Sequence, residues 1–196
     1  NIPYVVVDRQ LEGDIKSKVV CDDHQGGMIA TQYLIDNGHK CIGCITGPIE
    51  TSSARNRFLG YVDCLKNNHI AYDEKLVKRG NFDFQTGYEE TKKLLDEKIT
   101  AIFACNDMMA YGAIKAIKEA GKNIPEDISL IGYDDLIYSE LLDVPLTTIH
   151  QDIKGIAKVI GENIINVLKK GNEEVIFQVI PSSLVERDSV AKRKEA

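Results

Sequence analysis

The chain has 196 residues, 43% of them hydrophobic, with 24 Lys plus Arg against 30 Asp plus Glu and a formal net charge of −6. That length and apolar content exclude a disordered chain and suit one large α/β domain or two small lobes. The acidic balance excludes a nucleic-acid-gripping surface within this stretch, because neutralising phosphates takes a cationic excess.

Strand character begins at residues 3–7 and recurs at 19–21, 41–46, 76–79, 101–105 and 128–133. Between these runs fall helical segments with apolar residues three and four apart: Ile29, Tyr33 and Leu34, then Ala54, Phe58, Val62 and Leu65, then Tyr88, Thr91 and Leu95, then Ala110, Ala113 and Ile117. Strand and helix in alternation are the signature of βαβ units around a parallel sheet. Asp23 and Asp107 are placed to N-cap the helices that follow them, and Gly38, Gly121 and Gly171 to supply the left-handed residue after a helix. The last quarter breaks the rhythm with a strand at 146–149, a long helix carrying Ile153, Ile156, Ile160, Ile164 and Leu168 on one stripe, an alternating stretch at 175–180 and a charged tail at 191–196. That order implies a chain that leaves one lobe, visits another and returns.

No apolar run approaches the roughly 20 residues of a membrane-spanning helix. Because the chain begins with Asn and enters strand at once, the natural protein is expected to continue upstream. The five cysteines, Cys21, Cys41, Cys44, Cys64 and Cys105, are odd in number and lie mostly in apolar runs, as small buried hydrophobes do in a reducing cytoplasm. Cys41 and Cys44 have the spacing of a redox or zinc motif, but a strand sends residues three apart to opposite faces, which favours buried thiols. His24, His39, His69 and His150 form no ligand pair at helical spacing, so neither a metal nor another cofactor is expected.

In an open parallel sheet ligands bind beyond the carboxyl ends of the strands. Residues at those ends share a chemistry: Asp8 and Arg9, then Arg55 after a Gly47-Pro48 turn, Phe82 and Asp83, Asn106 and Asp107, Asp134 and Asp135, and Gln151 and Asp152. Carboxylates, guanidinium forks and carboxamides each make two hydrogen bonds to adjacent hydroxyls, and an aromatic face covers the C–H face of a ring. The set fits a small neutral polyol such as a sugar, whereas a phosphate would call for a Gly-rich nest that the sequence lacks. Taken singly, Asp23 and Asp107 read first as helix caps, while Asp83, Asp135 and Asp152 read equally as loop residues or caps, and Arg9 and Arg55 equally as surface ion pairs. Recurrence at successive strand ends is what makes them a site. No nucleophile elbow, zinc-protease helix or isolated carboxylate pair supports an enzyme.

The segments YLIDNGHKCIGCITGP, ARNRFLGY, AIFACNDMMAYGAIKAIKEAGKNIPEDISLIGYDDL and LTTIHQD resemble the successive signatures of LacI/GalR-type transcriptional repressors, over essentially the whole chain. The resemblance implies an α/β, periplasmic-binding-protein-like fold of two doubly wound parallel-sheet lobes, the N-terminal one only partly present. It divides the chain into 1–22 (N-terminal lobe), 23–149 (C-terminal lobe), 150–172 (return to the first lobe) and 173–196 (end of the second lobe and tail), with crossings at 21–23, 149–151 and 171–175. By the same resemblance the ligand-binding residues are Asp8, Arg9, Arg55, Phe82, Asn106, Asp134 and Gln151, in a pattern most similar to ribose-responsive repressors. The implied partners are a sugar effector, operator DNA through an upstream helix-turn-helix outside this sequence, and a second copy in a homodimer, with a cytoplasmic location and no membrane. Met108, Met109, Leu141 and Leu142 are candidates for that dimer surface or for core. The alternatives are an exported sugar-binding protein of a transporter, and the same repressor class with another sugar or a sugar phosphate as effector. A purine effector fits the Asp-Arg and Arg positions less well.

Overall fold

Two sheets carry the chain in a computed structural model that describes residues 4–7, 17–170 and 177–193. The small sheet is parallel, in the order β1 (Val6–Val7), β2 (Lys18–Cys21), β8 (Phe177–Ile180). The large one has the order β4 (Val77–Arg79), β3 (Ile42–Thr46), β5 (Ala101–Ala104), β6 (Ser129–Asp134), β7 (Thr147–Gln151), β9 (Ser182–Val185). All its pairs are parallel except β7 with β9. Helices α1 (Asp23–Asp36), α2 (Ser52–Asn67), α3 (Phe84–Leu95) and α4 (Asp107–Glu119) pack on the large sheet, and α5 (Ile153–Lys170) on the small one. Short 3-10 turns occupy Glu74–Leu76 and Ile137–Glu140.

Strands β3 and β5, and β6 up to Tyr133, are buried throughout. Helices on both faces account for their continuous apolar runs, the pattern of a sheet with no wet side. The helices approach in pairs through glycine. A Cβ on Gly27 would run into the Arg57 carbonyl, one on Gly60 into that of His24, and one on Gly87 into the Met109 backbone. So α1 locks against α2, and α3 against α4, at backbone contact distance.

Two caps differ from the expected ones by a single residue. Asp22, not Asp23, caps α1 by accepting from Gln25 N, and Asn106, not Asp107, caps α4 by accepting from Met109 N. Asp23 and Asp107 are thereby one step inside their helices, buried and available for other partners. Gly38 and Gly121 do take positive φ, +86 and +70, just after α1 and α4, while Gly171 lies outside the described residues. The five cysteines are free thiols; Cys44 is buried within β3, whereas Cys41 lies just before that strand and is exposed. Met109 belongs to the core, whereas Met108 and Leu141 are exposed.

The chain passes between the sheets after β2, after β7 and at Pro181. Residues 171–175, where the third crossing was expected, lie outside the described residues. Since Phe177–Ile180 still pairs with β2, the change of sheet comes at Pro181, which cannot donate to a ladder and therefore ends one strand before β9 begins. Strand β9 itself was not foreseen, because Ser182-Ser183-Leu184-Val185 lacks an apolar run and sits at an edge. The sheets keep separate cores, with Val19, Cys21, Ile156 and Ile180 clustered apart from the large one.

Gly60→Ala should destabilise the fold by about 1–3 kcal/mol, since the added methyl forces α1 and α2 apart. A denaturant titration measures it, and a wild-type midpoint would contradict this packing.

Candidate functional site

Strand β3 is flanked by β4 on one side and β5 on the other, so chain direction away from it reverses there and a crevice opens at the carboxyl ends. Arg57 of α2 points into this edge with 4% of its surface exposed. Its Nε donates to Asp23 Oδ1 at 2.8 Å, and its Nη1 to the Cys105 carbonyl at 2.8 Å and to Asp134 Oδ1 at 3.2 Å. The guanidinium carbon lies 3.8 Å from the centre of the Tyr133 ring and 5.8 Å from that of Phe82. Burial works against the charge, but Asp23 and Asp134 outweigh it and raise the pKa further.

Asp134 ends β6 with φ of 108°, and its Oδ1 also accepts from Gln151 Nε2 at 2.6 Å. Burial pushes its carboxyl up to about 6, with Arg57 pulling the other way. Asn106 caps α4 through its carbonyl oxygen and donates its Nδ2 to the Phe82 carbonyl at 2.9 Å. That bond holds Phe82 at φ of 60°, with its ring over Gly47, where any Cβ would collide with it. Thr46, at the end of β3, is buried, and its Oγ1 has no hydrogen-bond partner among the described residues. Beneath the edge, fully buried Asp107 accepts from Leu136 N, Ser139 Oγ and Thr148 Oγ1 at 2.8, 2.6 and 2.7 Å, fixing the turn that carries Asp134. Burial raises its pKa, against the two hydroxyls that lower it.

Of the residues singled out from the sequence, Phe82, Asn106, Asp134 and Gln151 gather at this edge. Asp8 and Arg9 lie outside the described residues. Arg55 is half-buried, with its Nη1 3.5 Å from the Ile49 carbonyl. It stands about 200° around α2 from Arg57, so the helix cannot aim both at one point, and the guanidinium that meets Asp134 is Arg57. Arg57 falls on the stripe Ala54, Arg57, Gly60, Tyr61, Cys64, Leu65 that α2 buries, and a cation on a core stripe needs buried partners; the apolar spacing Ala54, Phe58, Val62, Leu65 does not by itself pick out that face. Asp83 caps α3 through Thr86 N, and Asp152 accepts from Gly155 N, as their cap readings had it. Asp135 pairs with His150 and Arg187, away from Arg57. Among the described residues no three His, Cys, Asp or Glu side chains gather as a metal site.

Fold and edge together define an α/β domain whose buried polar side chains converge at a switch point between strands. The family profile of the periplasmic binding protein-like domain matches residues 31–190. A curated relative, the HTH-type transcriptional repressor PurR of Histophilus somni (strain 129Pt), is 39% identical over 197 residues, which is 97% of this chain and 58% of that protein. The chain thus spans little more than half the length of this relative. A LacI family transcriptional regulator from Enterococcus faecium, solved with bound ribose, superposes with a TM-score of 0.91 at 31% identity, over 98% of this chain and 72% of that one. A dimeric Lac repressor with an 11-residue C-terminal deletion superposes with a TM-score of 0.89 at 30% identity, over 99% and 71%. The chain belongs to the periplasmic-binding-protein-like family, as the effector-binding domain of the LacI-type transcriptional regulators. These relatives are transcriptional repressors and regulators, not enzymes.

Arg57→Ala leaves Asp23 and Asp134 buried without their cation and should cost about 3–5 kcal/mol of stability. Arg55→Ala, at a half-buried position, should cost under about 1 kcal/mol. Parallel thermal melts check the pair, and equal losses would contradict the distinction between the two arginines.

Proposed function

We propose that the chain binds the effector of a cytoplasmic transcriptional repressor of sugar metabolism, with D-ribose or a close pentose as that effector. The observation that carries this reading is the convergence of Arg57, Phe82, Asn106, Asp134 and Gln151 on one strand edge. A fork-shaped cation, a carboxylate and two carboxamides beside an aromatic face are the groups that adjacent hydroxyls on a compact ring can use. By the family resemblance Asp8 and Arg9, which lie outside the described residues, are further candidates to hold the sugar hydroxyls, and the buried Thr46 hydroxyl is a further donor or acceptor. The ribose-bound regulator from Enterococcus faecium supports the pentose.

Occupancy acts by population shift. A ligand gripped by both sheets favours one arrangement of them over another and, through a dimer, re-aims DNA-binding heads upstream of this sequence. Dimerisation is supported by the dimeric Lac repressor relative; Met108 and Leu141 are exposed, and Leu141 lines a groove of about 450 Å³ together with Ile114, Leu142 and Val144 and the charged Lys118, Lys122 and Asp143. The second reading replaces the sugar by a purine base, because the curated relative is named PurR. An exported binding protein of a transporter ranks behind both, since the LacI-type relatives and five free thiols speak for an intracellular regulator.

Melting with D-ribose, other pentoses, hexoses and purine bases in turn separates these readings. At a hundredfold excess over Kd the right ligand adds roughly 2.7 kcal/mol and raises the melting point by several degrees. A shift with a purine base alone would transfer the site to the second reading. Hydroxyls bind the ionised form of Asp134, so binding releases its proton and affinity should rise with pH through about 6, then level off. Asp134→Asn keeps an acceptor for Arg57 and Gln151 but removes the buried charge. It should lower affinity by about tenfold or more while leaving the melting point of the free protein at or above wild type. Calorimetry and melts on the two proteins check both halves.

A further inference from the structure

Asp23 is buried, with 5% of its surface exposed, and it is absent from the sugar-binding pattern described above. Its one charged partner among the described residues is Arg57 Nε at 2.8 Å. A guanidinium is planar, so holding Nε sets the plane, and here that plane is fixed from three sides: Asp23 at Nε, the Cys105 carbonyl and Asp134 at Nη1, and the Tyr133 ring 3.8 Å away. Among the described residues Nη2 alone carries no hydrogen bond, and it is the part of the fork left to a ligand.

The same carboxylate stands at the first crossing between the sheets, one residue beyond Asp22. The Asp22 N–H donates to the Ile180 carbonyl at 2.9 Å, and the Asp22 carbonyl accepts from Ser182 Oγ at 3.4 Å, so the first crossing is tied to the third. Ser182 in turn meets the hydroxyl of Tyr133, the ring under Arg57, at 3.3 Å. Gln151, at the second crossing, reaches Arg57 through Asp134. All three crossings therefore lie within a few hydrogen bonds of one guanidinium.

We propose that Asp23 is a positioning residue for the effector, which orients the Arg57 fork for the ligand and couples the occupied site to the crossing between the sheets. The proposal rests on the reading of this edge as the effector site. Without the Asp23 charge the fork rotates more freely before binding, and the order it must then acquire weakens affinity. The charge also bears on Asp134. That carboxylate is faced by Arg57 from α2, Asp23 from α1 and Asp107 from α4, with Asp135 beside it carrying His150 and Arg187. Removing one of the surrounding negative charges eases ionisation of Asp134 and moves its titration to lower pH.

The test is calorimetry on the full-length protein with D-ribose and with hypoxanthine across the acid-to-neutral range, comparing wild type, Asp23→Asn and an exposed control outside the site, Glu126→Gln. Asp23→Asn should lose about tenfold in affinity at neutral pH, and the midpoint of its pH-dependent rise should fall below that of wild type. The control should match wild type in both. Wild-type binding with unchanged affinity and midpoint in Asp23→Asn overturns the positioning role and leaves the site reading intact, whereas a wild type that binds neither probe overturns both. A merely structural role would lower the melting point without moving the midpoint, and that result also counts against the proposal. Should Asp23→Asn fail to fold, the Arg57 Nε proton of the wild type decides by NMR: slow exchange that persists on ligand addition supports the clamp, and exchange at the solvent rate overturns it.

Discussion

A guanidinium keeps its proton at any working pH, so once the fold places Arg57 out of water, the rest of the centre must answer its charge. Asp23 and Asp134 do so from two different elements, α1 and the end of β6, and Tyr133 offers its ring face. The two carboxylates could not share this space without the cation between them, and the cation needs at least one of them ionised beside it. Helix α1, helix α2 and strand β6 are thereby fixed to one another at the edge where the strands end.

The same edge holds backbone that L-residues seldom adopt. Phe82, Asp134 and Asp135 have φ of 60°, 108° and 54°, each worth of order 1–3 kcal/mol of strain. Specific bonds stabilise each: Asn106 to the Phe82 carbonyl, Arg57 and Gln151 to the Asp134 carboxylate, and Arg187 and His150 to the Asp135 carboxylate. Asp107 braces the turn from below through three hydrogen bonds. Strain held in place by surrounding bonds presents Phe82 and Asp134 to the crevice in a fixed geometry. A site prepared in this way loses little order when a ligand arrives.

The two hydrophobic clusters do not merge, and what joins them is three short passages of chain and the polar groups beside them. Packed cores resist deformation, so relative motion of the sheets concentrates in those passages. A regulator needs a ligand to bias such a motion. Here the groups that would meet a ligand are the ones bonded to the crossings.

The order of strands and helices, the buried central strands and four of the edge residues were legible in the sequence. They depend on local rules: apolar periodicity, turn residues after helices, and the placement of ligands beyond strand ends. The missing pieces were non-local. Asp23 and Asp107 look like caps because Asp caps helices. That Asp22 and Asn106 cap instead, freeing their neighbours for Arg57 and for Ser139 and Thr148, depends on partners 34, 32 and 41 residues away. Strand β9 exists because β7 offers it an edge, not because its own residues demand extension. Sequence alone determined the fold class and the chemistry that reaches the strand ends, since periodicity and residue type are local properties. Only the tertiary structure decided that Arg57, and not Arg55, meets Asp134, because which side of α2 faces the crevice is set by packing against α1 and the sheet.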